Sequence, residues 1–201
     1  MSTQWHENSH SSEKEQTPVK TSRPMPTLTT QRLVLRPFKQ DDAKTLQRLM
    51  GTWEIADTTL SIPHPYEDGV AEAWISTHQE RFNSGRNLNL AITLRATGEL
   101  IGGISLALAP QHARGELGYC LGVEFWNRDY ATEAASAVVR HGFEHLGLER
   151  IMGEHFSRNP ASGRVMQKIG MRHEGTLRRQ VRKWDKFEDM EVYGILKDQL
   201  Q

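Results

Sequence analysis

The sequence feature that most constrains the fold is the stretch from Leu121 to Ala134, which joins an alternating apolar run to an amphipathic segment. The alternation before it is typical of a half-buried strand, and the periodicity after it indicates a helix from about Tyr130 to Leu146. A tight loop between a strand and a helix leaves the first backbone N–H groups of the helix without intrahelical partners. The stretch therefore predicts an anion-binding site at the start of this helix.

Other periodic segments place this unit in a mixed α/β domain built around one central sheet. Three further segments carry helical periodicity, namely residues 43–50, 68–84 and 160–169. Seven segments have the pattern of strands, namely residues 32–36, 89–94, 100–107, 115–121, 150–155, 171–177 and 191–196. Residues 52–66 show neither period and contain two prolines, so they are predicted to be an irregular loop.

Composition limits the domain organisation and the classes of partner. The chain of 201 residues is long enough for one domain with a sizeable core. Residues 1–26 are highly polar and are predicted to be a disordered tail, with a partner-binding arm as the alternative, so residues 27–201 form the single domain. Lys plus Arg equals Asp plus Glu, 25 each, which gives no general attraction to nucleic acid or to an anionic membrane.

The sequence predicts a cytoplasmic protein. It contains no apolar run of about 18 residues that would span a bilayer, and its N-terminus lacks the apolar core of a signal peptide. Cys120 is the one cysteine, so no internal disulfide can form. Four histidines (His141, His145, His155 and His173) lack acidic or sulfur partners at metal-ligand spacing, and no metal is predicted.

Five motifs recur in an order that resembles a known family. They are Gln31–Pro37, Gly118-Tyr119, Tyr130–Ala134, Leu146–Ile151, and Asn159–Ser162 followed by Lys168–Met171. With these motifs the chain resembles the GNAT superfamily of acyl-CoA N-acyltransferases, and most of all the branch of ribosomal-protein N-terminal alanine acetyltransferases. The resemblance covers about residues 27–196.

The resemblance implies a fold and an activity. The fold is a mixed, mostly antiparallel sheet of about seven strands with about four flanking helices, splayed between its fourth and fifth strands, here 115–121 and 150–155. Acetyl-CoA would lie in the gap as co-substrate, and its acetyl group would pass by direct attack to a primary amine of a small molecule or a protein N-terminus. The alternative is a non-catalytic acyl-CoA-binding or interaction module, and whether the protein forms a homodimer stays open.

The resemblance also implies which residues bind the cofactor. The pantetheine arm maps onto the backbone of Leu121, Gly122 and Val123, and Asn159 would bond to the cofactor. The pyrophosphate maps onto the loop and first helical turn, namely Trp126, Asn127, Arg128, Asp129, Tyr130, Ala131 and Thr132.

The pyrophosphate loop departs from the family pattern at two positions. The family has a glycine where this chain has Asp129, and the branch often has one where this chain has Asn127. Asn and Asp are the residues other than glycine that best tolerate a left-handed backbone, so the loop shape is expected to survive. The Asp129 carboxylate would repel a pyrophosphate, although Arg128 could offset this by contacting a phosphate. Alternatively, Asp129 caps the helix and occupies the N–H groups that the cofactor needs.

Two residues are candidates for the chemistry. Glu116 starts the fourth strand, where several superfamily members place a catalytic base, although it could equally be a solvated carboxylate. Ser162 matches the serine that the branch proposes as the acid for the leaving thiolate, whereas capping in the first turn of its own helix is the competing role. Many superfamily members use a tyrosine for this step, but Met166 stands at the matching position. By the same resemblance, the loop Ser61–Tyr66 and the segment near Trp184 would line the acceptor side.

Overall fold

The computed structural model describes residues 23–200. The predicted tail falls mainly on residues 1–22, which lie outside the described part of the chain. The strands are β1 (Leu28–Thr29), β2 (Leu33–Arg36), β3 (Asn87–Leu94), β4 (Leu100–Ala109), β5 (Arg114–Leu121), β6 (Arg150–Phe156), β7 (Arg172–Lys183) and β8 (Lys186–Leu196). The α-helices are α1 (Ala43–Met50), α2 (Trp53–Thr58), α3 (Val70–Ser76), α4 (His78–Asn83), α5 (Tyr130–His145) and α6 (Pro160–Lys168).

The strands form one open sheet, which confirms the predicted mixed α/β class. Their order is β1-β2-β3-β4-β5-β6-β8-β7, and every pair is antiparallel except β5 with β6. Residues 23–200 contain eight strands and six α-helices instead of about seven and about four. The additional strand, β1, has two residues and is too short to show an alternation in the sequence. Within residues 23–200, no helix has the length and apolar character needed to cross a bilayer.

The sheet opens between β5 and β6, as the family resemblance implies. These strands pair in parallel over only three positions, Arg114 with Arg150, Gly115 with Ile151 and Glu116 with Met152. Both strands continue beyond these positions, to Leu121 and Phe156, without pairing to each other. The unpaired lengths form the two sides of a gap in the sheet.

Close packing holds the closed end of this gap. A side-chain carbon at Gly115 would lie 2.9 Å from carbon atoms of both Leu106 and Leu148, so any larger residue there would force these side chains to shift. Ile151 is fully buried beside these residues, and Gly142 of α5 allows the helix to approach it. The buried residues Ala134, Val138, Val139 and Phe143 complete the apolar face of α5, as its periodicity predicts.

Two helical predictions need correction. The predicted helix over residues 68–84 is interrupted at Thr77, whose hydroxyl donates to the carbonyl oxygen of Trp74 at 2.8 Å. A side chain that bonds to the preceding turn in this way competes with regular helix bonding. The predicted irregular segment 52–66 contains α2, whose six residues are too few to show a period, although they bury Ile55 and Ala56.

Glu133 joins the first turn of α5 to the start of the sheet. Its carboxylate accepts hydrogen bonds from the Thr30 hydroxyl (2.6 Å), the Arg32 backbone N–H (2.7 Å) and the Arg32 Nε (2.6 Å). Burial alone would raise the pKa of this carboxyl, but the bonds from Thr30 and Arg32 outweigh burial and lower it. The contact therefore fixes where α5 begins relative to β2.

We expect Glu133→Ala to lower the free energy of unfolding by about 2 kcal/mol, since hydrogen bonds to charged groups contribute about 1.5–3 kcal/mol. Because the pKa of Glu133 is lowered in the folded state, this contribution is present at neutral pH and is lost as the pH falls through the folded-state pKa. Urea denaturation at pH 7 and at acidic pH measures both effects. Glu144→Ala is the control, since its exposed pair with Arg140 on the same helix should contribute about 0.3–0.5 kcal/mol. Equal losses in the two variants would contradict the expectation.

Candidate active site

The β5 side of the gap offers backbone groups. The carbonyl oxygen of Leu121 already accepts the indole Nε1–H of Trp126 at 2.8 Å, and the N–H of Gly122 donates to Ile101 at 2.9 Å. The carbonyl oxygen of Val123 accepts from the Trp126 N–H at 3.2 Å. Of the three residues predicted to hold pantetheine, Val123 therefore offers a backbone N–H without a backbone partner in the described part of the chain. Trp126 acts here as a support for the strand end.

Two residues of the loop before α5 have the left-handed backbone angles that glycine adopts readily. Asn127 (φ 58°) and Asp129 (φ 60°) are both left-handed, as the sequence predicts for these substitutions. Asp129 occupies the N-cap position, but its side chain makes no capping hydrogen bond. The alternative in which Asp129 occupies the helix N–H groups is therefore wrong, and these groups remain available to a ligand.

The first turn of α5 contains a buried hydroxyl that fits a bound polar group. The Oγ1 of Thr132 is buried and has no hydrogen-bond partner among residues 23–200. Buried polar atoms are normally paired, so an unpaired one beside a proposed site needs an explanation. A cofactor bound at the loop would supply the partner. Arg128 is exposed next to Asp129, and its carbonyl oxygen accepts from Arg32 at 3.0 Å.

The Asp129 carboxylate pairs with a lysine from another element. Its Oδ1 lies 2.5 Å from the Nζ of Lys168, which ends α6. The hydrogen bond and charge of Lys168 lower the pKa of Asp129. The negative charge on the loop thus has a counterion before any ligand binds.

Ser162 contacts a tyrosine instead of capping α6. The phenol oxygen of Tyr119 lies 2.9 Å from the Ser162 Oγ, and it donates to the Ser162 carbonyl oxygen at 2.8 Å. Since the phenol has one proton, the serine hydroxyl donates to Tyr119 in this arrangement. Burial raises the pKa of Tyr119 to about 12, although the bond to Ser162 partly opposes this. The phenol is therefore neutral at physiological pH.

Met166 and Asn159, the other two motif positions of α6, differ in their surroundings. Met166 is buried, and its methyl carbon would lie 2.9 Å from a side-chain carbon at Gly153 of β6. Asn159 stands at the N-cap position of α6, a position that asparagine favours, but its side chain makes no capping hydrogen bond. The Asn159 amide is therefore left without a capping role.

A second carboxylate, which the sequence did not single out, faces Glu116. Glu154 of β6 lies two residues beyond Met152, the partner of Glu116, so both carboxylates project from the same face of the sheet. Gly118 lies two residues after Glu116 on the same face of β5, and among residues 23–200 a side-chain carbon there would meet only the Ser105 hydroxyl. Glu154 is half-buried, and its carboxylate forms no hydrogen bond or ion pair within residues 23–200. Burial, with the charge of Glu116, raises the pKa of Glu154.

The predicted acceptor-side segments lie together. Trp53 of α2 stacks on Trp184 with a centroid distance of 4.7 Å, and His64 meets the Trp53 ring edge-on at 5.3 Å. Lys183 donates to the carbonyl oxygens of Leu60 (3.2 Å) and Ile62 (3.1 Å).

A basic cluster of Arg178, Arg179, Arg182 and Lys183 lies near this surface. These residue types predict a solvated strand end or loop, with recognition of an acidic substrate or of the cofactor's 3′-phosphate as the alternative. The three arginines are exposed at the end of β7, which confirms a solvated strand end and extends the strand six residues beyond its predicted end. Lys183 departs from the prediction, since it is 93% buried. Its ammonium is held by two backbone carbonyls, so it is a structural group of the loop.

Cys120 and His155 have structural surroundings. Burial raises the pKa of the Cys120 thiol to about 12, which keeps it protonated. His155 of β6 bonds through Nδ1 to the carbonyl oxygen of Phe156 at 2.8 Å. Within the described residues no group of His, Cys, Asp and Glu could hold a metal ion.

Comparisons with known proteins agree with this geometry. The model of the acetyltransferase (GNAT) domain matches residues 32–172. An uncharacterised N-acetyltransferase of Bacillus subtilis strain 168, YoaA, is 35% identical over 173 residues, which cover 86% of this chain and 97% of the relative.

Two solved structures share the fold at low sequence identity. The microcin C7 self-immunity acetyltransferase MccE, in complex with acetyl-CoA and AMP, has a TM-score of 0.77 and 15% identity over 83% of this chain and 93% of that chain. RimL, the ribosomal L7/L12 α-N-protein acetyltransferase in complex with coenzyme A, has a TM-score of 0.75 and 16% identity. The match covers 85% of this chain and 98% of the RimL chain.

Together the sheet, the gap and these matches define an acyltransferase. The chain belongs to the GNAT acetyltransferase family, which confirms the resemblance found in its motifs. It is an acetyl-CoA-dependent N-acetyltransferase.

We expect the Glu154 carboxyl to titrate above the usual glutamate range, and Glu116→Gln to lower that pKa because it removes the neighbouring negative charge. Carboxyl carbon NMR on selectively labelled protein measures both values. Glu99→Gln, a change at an exposed turn far along the chain, should leave the Glu154 titration unchanged. A Glu154 pKa that stays the same in Glu116→Gln would show that the two carboxylates do not interact.

Proposed function

We propose that the enzyme transfers the acetyl group to a primary amine that enters on the Glu116 and Glu154 face of the gap. The observation that carries this proposal is the parting of β5 and β6 after Glu116 and Met152, with polar side chains on both faces beside the opening. Side chains alternate along a strand, so Glu116 and Tyr119 of β5 project from opposite faces. In this proposal the proton of the amine is removed on the Glu116 face of the sheet, and the leaving thiolate is stabilised on the Tyr119 face.

The cofactor would lie along β5 and over the loop before α5. Val123 would offer its backbone N–H to the pantetheine arm beside Leu121 and Gly122. The pyrophosphate would be held by the N–H groups at the start of α5, with Thr132, Arg128 and the half-exposed ring of Tyr130 around it. When bound, acetyl-CoA supplies an activated thioester to the acceptor. The free Thr132 hydroxyl and the uncapped helix support this placement.

Glu154 is the better candidate for the base, with Glu116 as its partner. A base that removes a proton from an amine works best with a pKa near the working pH, and burial with the Glu116 charge moves Glu154 in this direction. The unpaired state of its carboxylate also leaves it available to an incoming ammonium group. Glu116 would raise the pKa of Glu154 and add negative charge that attracts the protonated amine.

Ser162 would act on the leaving thiolate, with Tyr119 as its partner. A thiol has a pKa of about 8.5, far below that of a serine hydroxyl, so Ser162 can stabilise the thiolate by a hydrogen bond without fully losing its proton. To do so, the serine hydroxyl rotates from Tyr119 to the sulfur while the neutral phenol stays bonded to the Ser162 carbonyl oxygen. Tyr119 thus places a phenol beside Ser162, one helical turn before Met166.

The acceptor would be an amine of low pKa. An α-amine has a pKa of about 7.7–8.0 against about 10.4 for a lysine-type amine, so a carboxylate base can deprotonate it more readily. RimL, which shares the fold, is named as a protein α-N-acetyltransferase, and MccE was solved with AMP. Both an N-terminal peptide and a small-molecule amine are therefore acceptors to test against the surface formed by the Ser61–Tyr66 loop and Trp184.

The test of this proposal is thiol release from acetyl-CoA with a panel of N-terminal peptides and small amines, alongside calorimetric titration of coenzyme A. We expect cofactor binding and faster release with α-amines than with lysine-type amines at neutral pH. The absence of coenzyme A binding at millimolar concentration would refute the cofactor site. Binding without thiol release for any amine would favour the alternative of a non-catalytic module.

We expect Glu154→Gln to lower kcat/KM by about 100-fold, within the range for loss of a general base. In Glu116→Gln, the acid side of the pH profile should move to lower pH, because the base must be deprotonated and its pKa falls when the neighbouring charge is removed. Steady-state kinetics across pH with one peptide acceptor measures both. If Glu116→Gln gives the larger loss and abolishes the acid side of the profile, then Glu116 is the base.

We expect Ser162→Ala to lower kcat by about 100-fold with little change in KM, since the serine acts on the leaving group. Tyr119→Phe keeps the ring and removes the hydrogen bonds, so a smaller loss of about fivefold is expected, which corresponds to about 1 kcal/mol. The double variant Tyr119→Phe with Ser162→Ala should be no slower than Ser162→Ala alone. Losses that multiply would show that Tyr119 acts independently of Ser162.

A further inference from the structure

Asp129 presents an electrostatic problem that the structure answers. In the family this position is a glycine, whereas here a carboxylate stands at the loop assigned to the pyrophosphate. The backbone of Asp129 is left-handed (φ 60°, ψ 13°), so the substitution preserves the loop shape. What it adds is a negative charge beside a ligand that is itself an anion.

The Asp129–Lys168 pair holds an ammonium group at this loop. The Nζ of Lys168 lies 2.5 Å from the Asp129 Oδ1, although the two residues belong to different sides of the gap. Both side chains are more than half exposed, at 61% for Asp129 and 53% for Lys168. Exposed pairs contribute little to folding stability, so a structural role is a weak explanation for this contact.

Lys168 has N–H donors that its pair with Asp129 does not use. An ammonium group has three N–H donors, of which Asp129 uses one, so two remain for phosphate oxygens. The aspartate fixes a long flexible side chain close to the α5 N-terminus, and it thereby reduces the entropy that Lys168 would lose on binding an anion. A glycine at position 129 could not orient the lysine in this way.

We propose that Lys168 binds the diphosphate of acetyl-CoA and that Asp129 is the positioning residue for Lys168. The proposal rests on the cofactor site of the proposed function and adds to it a residue from the last turn of α6. In this arrangement the diphosphate is bound by the ammonium group of Lys168, which Asp129 orients, instead of by the close backbone approach that a glycine would allow. Arg128, on the same loop, provides a second positive charge.

The test is calorimetric titration of coenzyme A into the wild-type protein and variants at low salt. We expect Lys168→Met to raise the Kd by about tenfold, which corresponds to 1.4 kcal/mol. The double variant Lys168→Met with Asp129→Asn should bind at least threefold more tightly than Lys168→Met, because it removes the uncompensated carboxylate. Lys44→Met removes the same charge from exposed Lys44 of α1 and should bind as the wild type does.

Two further measurements locate the contact. The loss in Lys168→Met should shrink at 1 M salt, where the Debye length is about 3 Å. The same loss should appear with dephospho-coenzyme A, which lacks the 3′-phosphate, and should vanish with pantetheine, which has no phosphate.

The outcomes separate this inference from the proposed function. If wild-type protein does not bind coenzyme A, the cofactor site itself is refuted. If wild-type protein binds and Lys168→Met binds within twofold of it, only the role of Lys168 is refuted. A loss that persists with pantetheine, or that is absent with dephospho-coenzyme A, likewise overturns the diphosphate contact. A double variant that binds no better than Lys168→Met overturns the role of Asp129.

Discussion

The short parallel pairing between β5 and β6 is the constraint on which the site depends. Three paired positions hold the strands together, and Gly115 allows Leu106 and Leu148 to pack closely at that end. Beyond Glu116 and Met152 the strands separate, and backbone groups that would pair in a regular sheet face the gap instead. A longer pairing would satisfy those groups internally and leave nowhere for an extended cofactor to bind.

The fold could be predicted in large part from the sequence because its elements carry clear periods. The strand–loop–helix unit around Leu121 to Ala134 was located directly, and the family resemblance supplied the gap. The elements that were wrong are those in which a local contact decides the outcome: Thr77 interrupts a helix by bonding to the preceding turn, and α2 is too short to show a period. The extent of β7 was missed because its exposed end has no apolar alternation.

The candidate site was predicted less completely, since it depends on contacts between distant parts of the chain. Motifs identify Glu116 and Ser162. Glu154 becomes a candidate only through the register of β5 and β6, and Tyr119 only through its hydrogen bonds to Ser162. Asp129 illustrates the limit most clearly. Its identity suggests repulsion of the cofactor or capping of a helix, and only the fold brings Lys168 to its carboxylate.

Two side-chain contacts connect helix α6 to β5 and to the loop that follows it. Ser162 meets Tyr119 at one end of the helix, and Lys168 meets Asp129 at the other. A neutral hydrogen bond contributes about 0.5–1.5 kcal/mol, and an ion pair as exposed as Lys168–Asp129 contributes little. Both contacts are therefore weak. Either contact can break by side-chain rotation while every backbone hydrogen bond of the sheet stays intact, so Ser162 and Lys168 can turn towards a ligand in the gap while Met166 keeps α6 packed on β6.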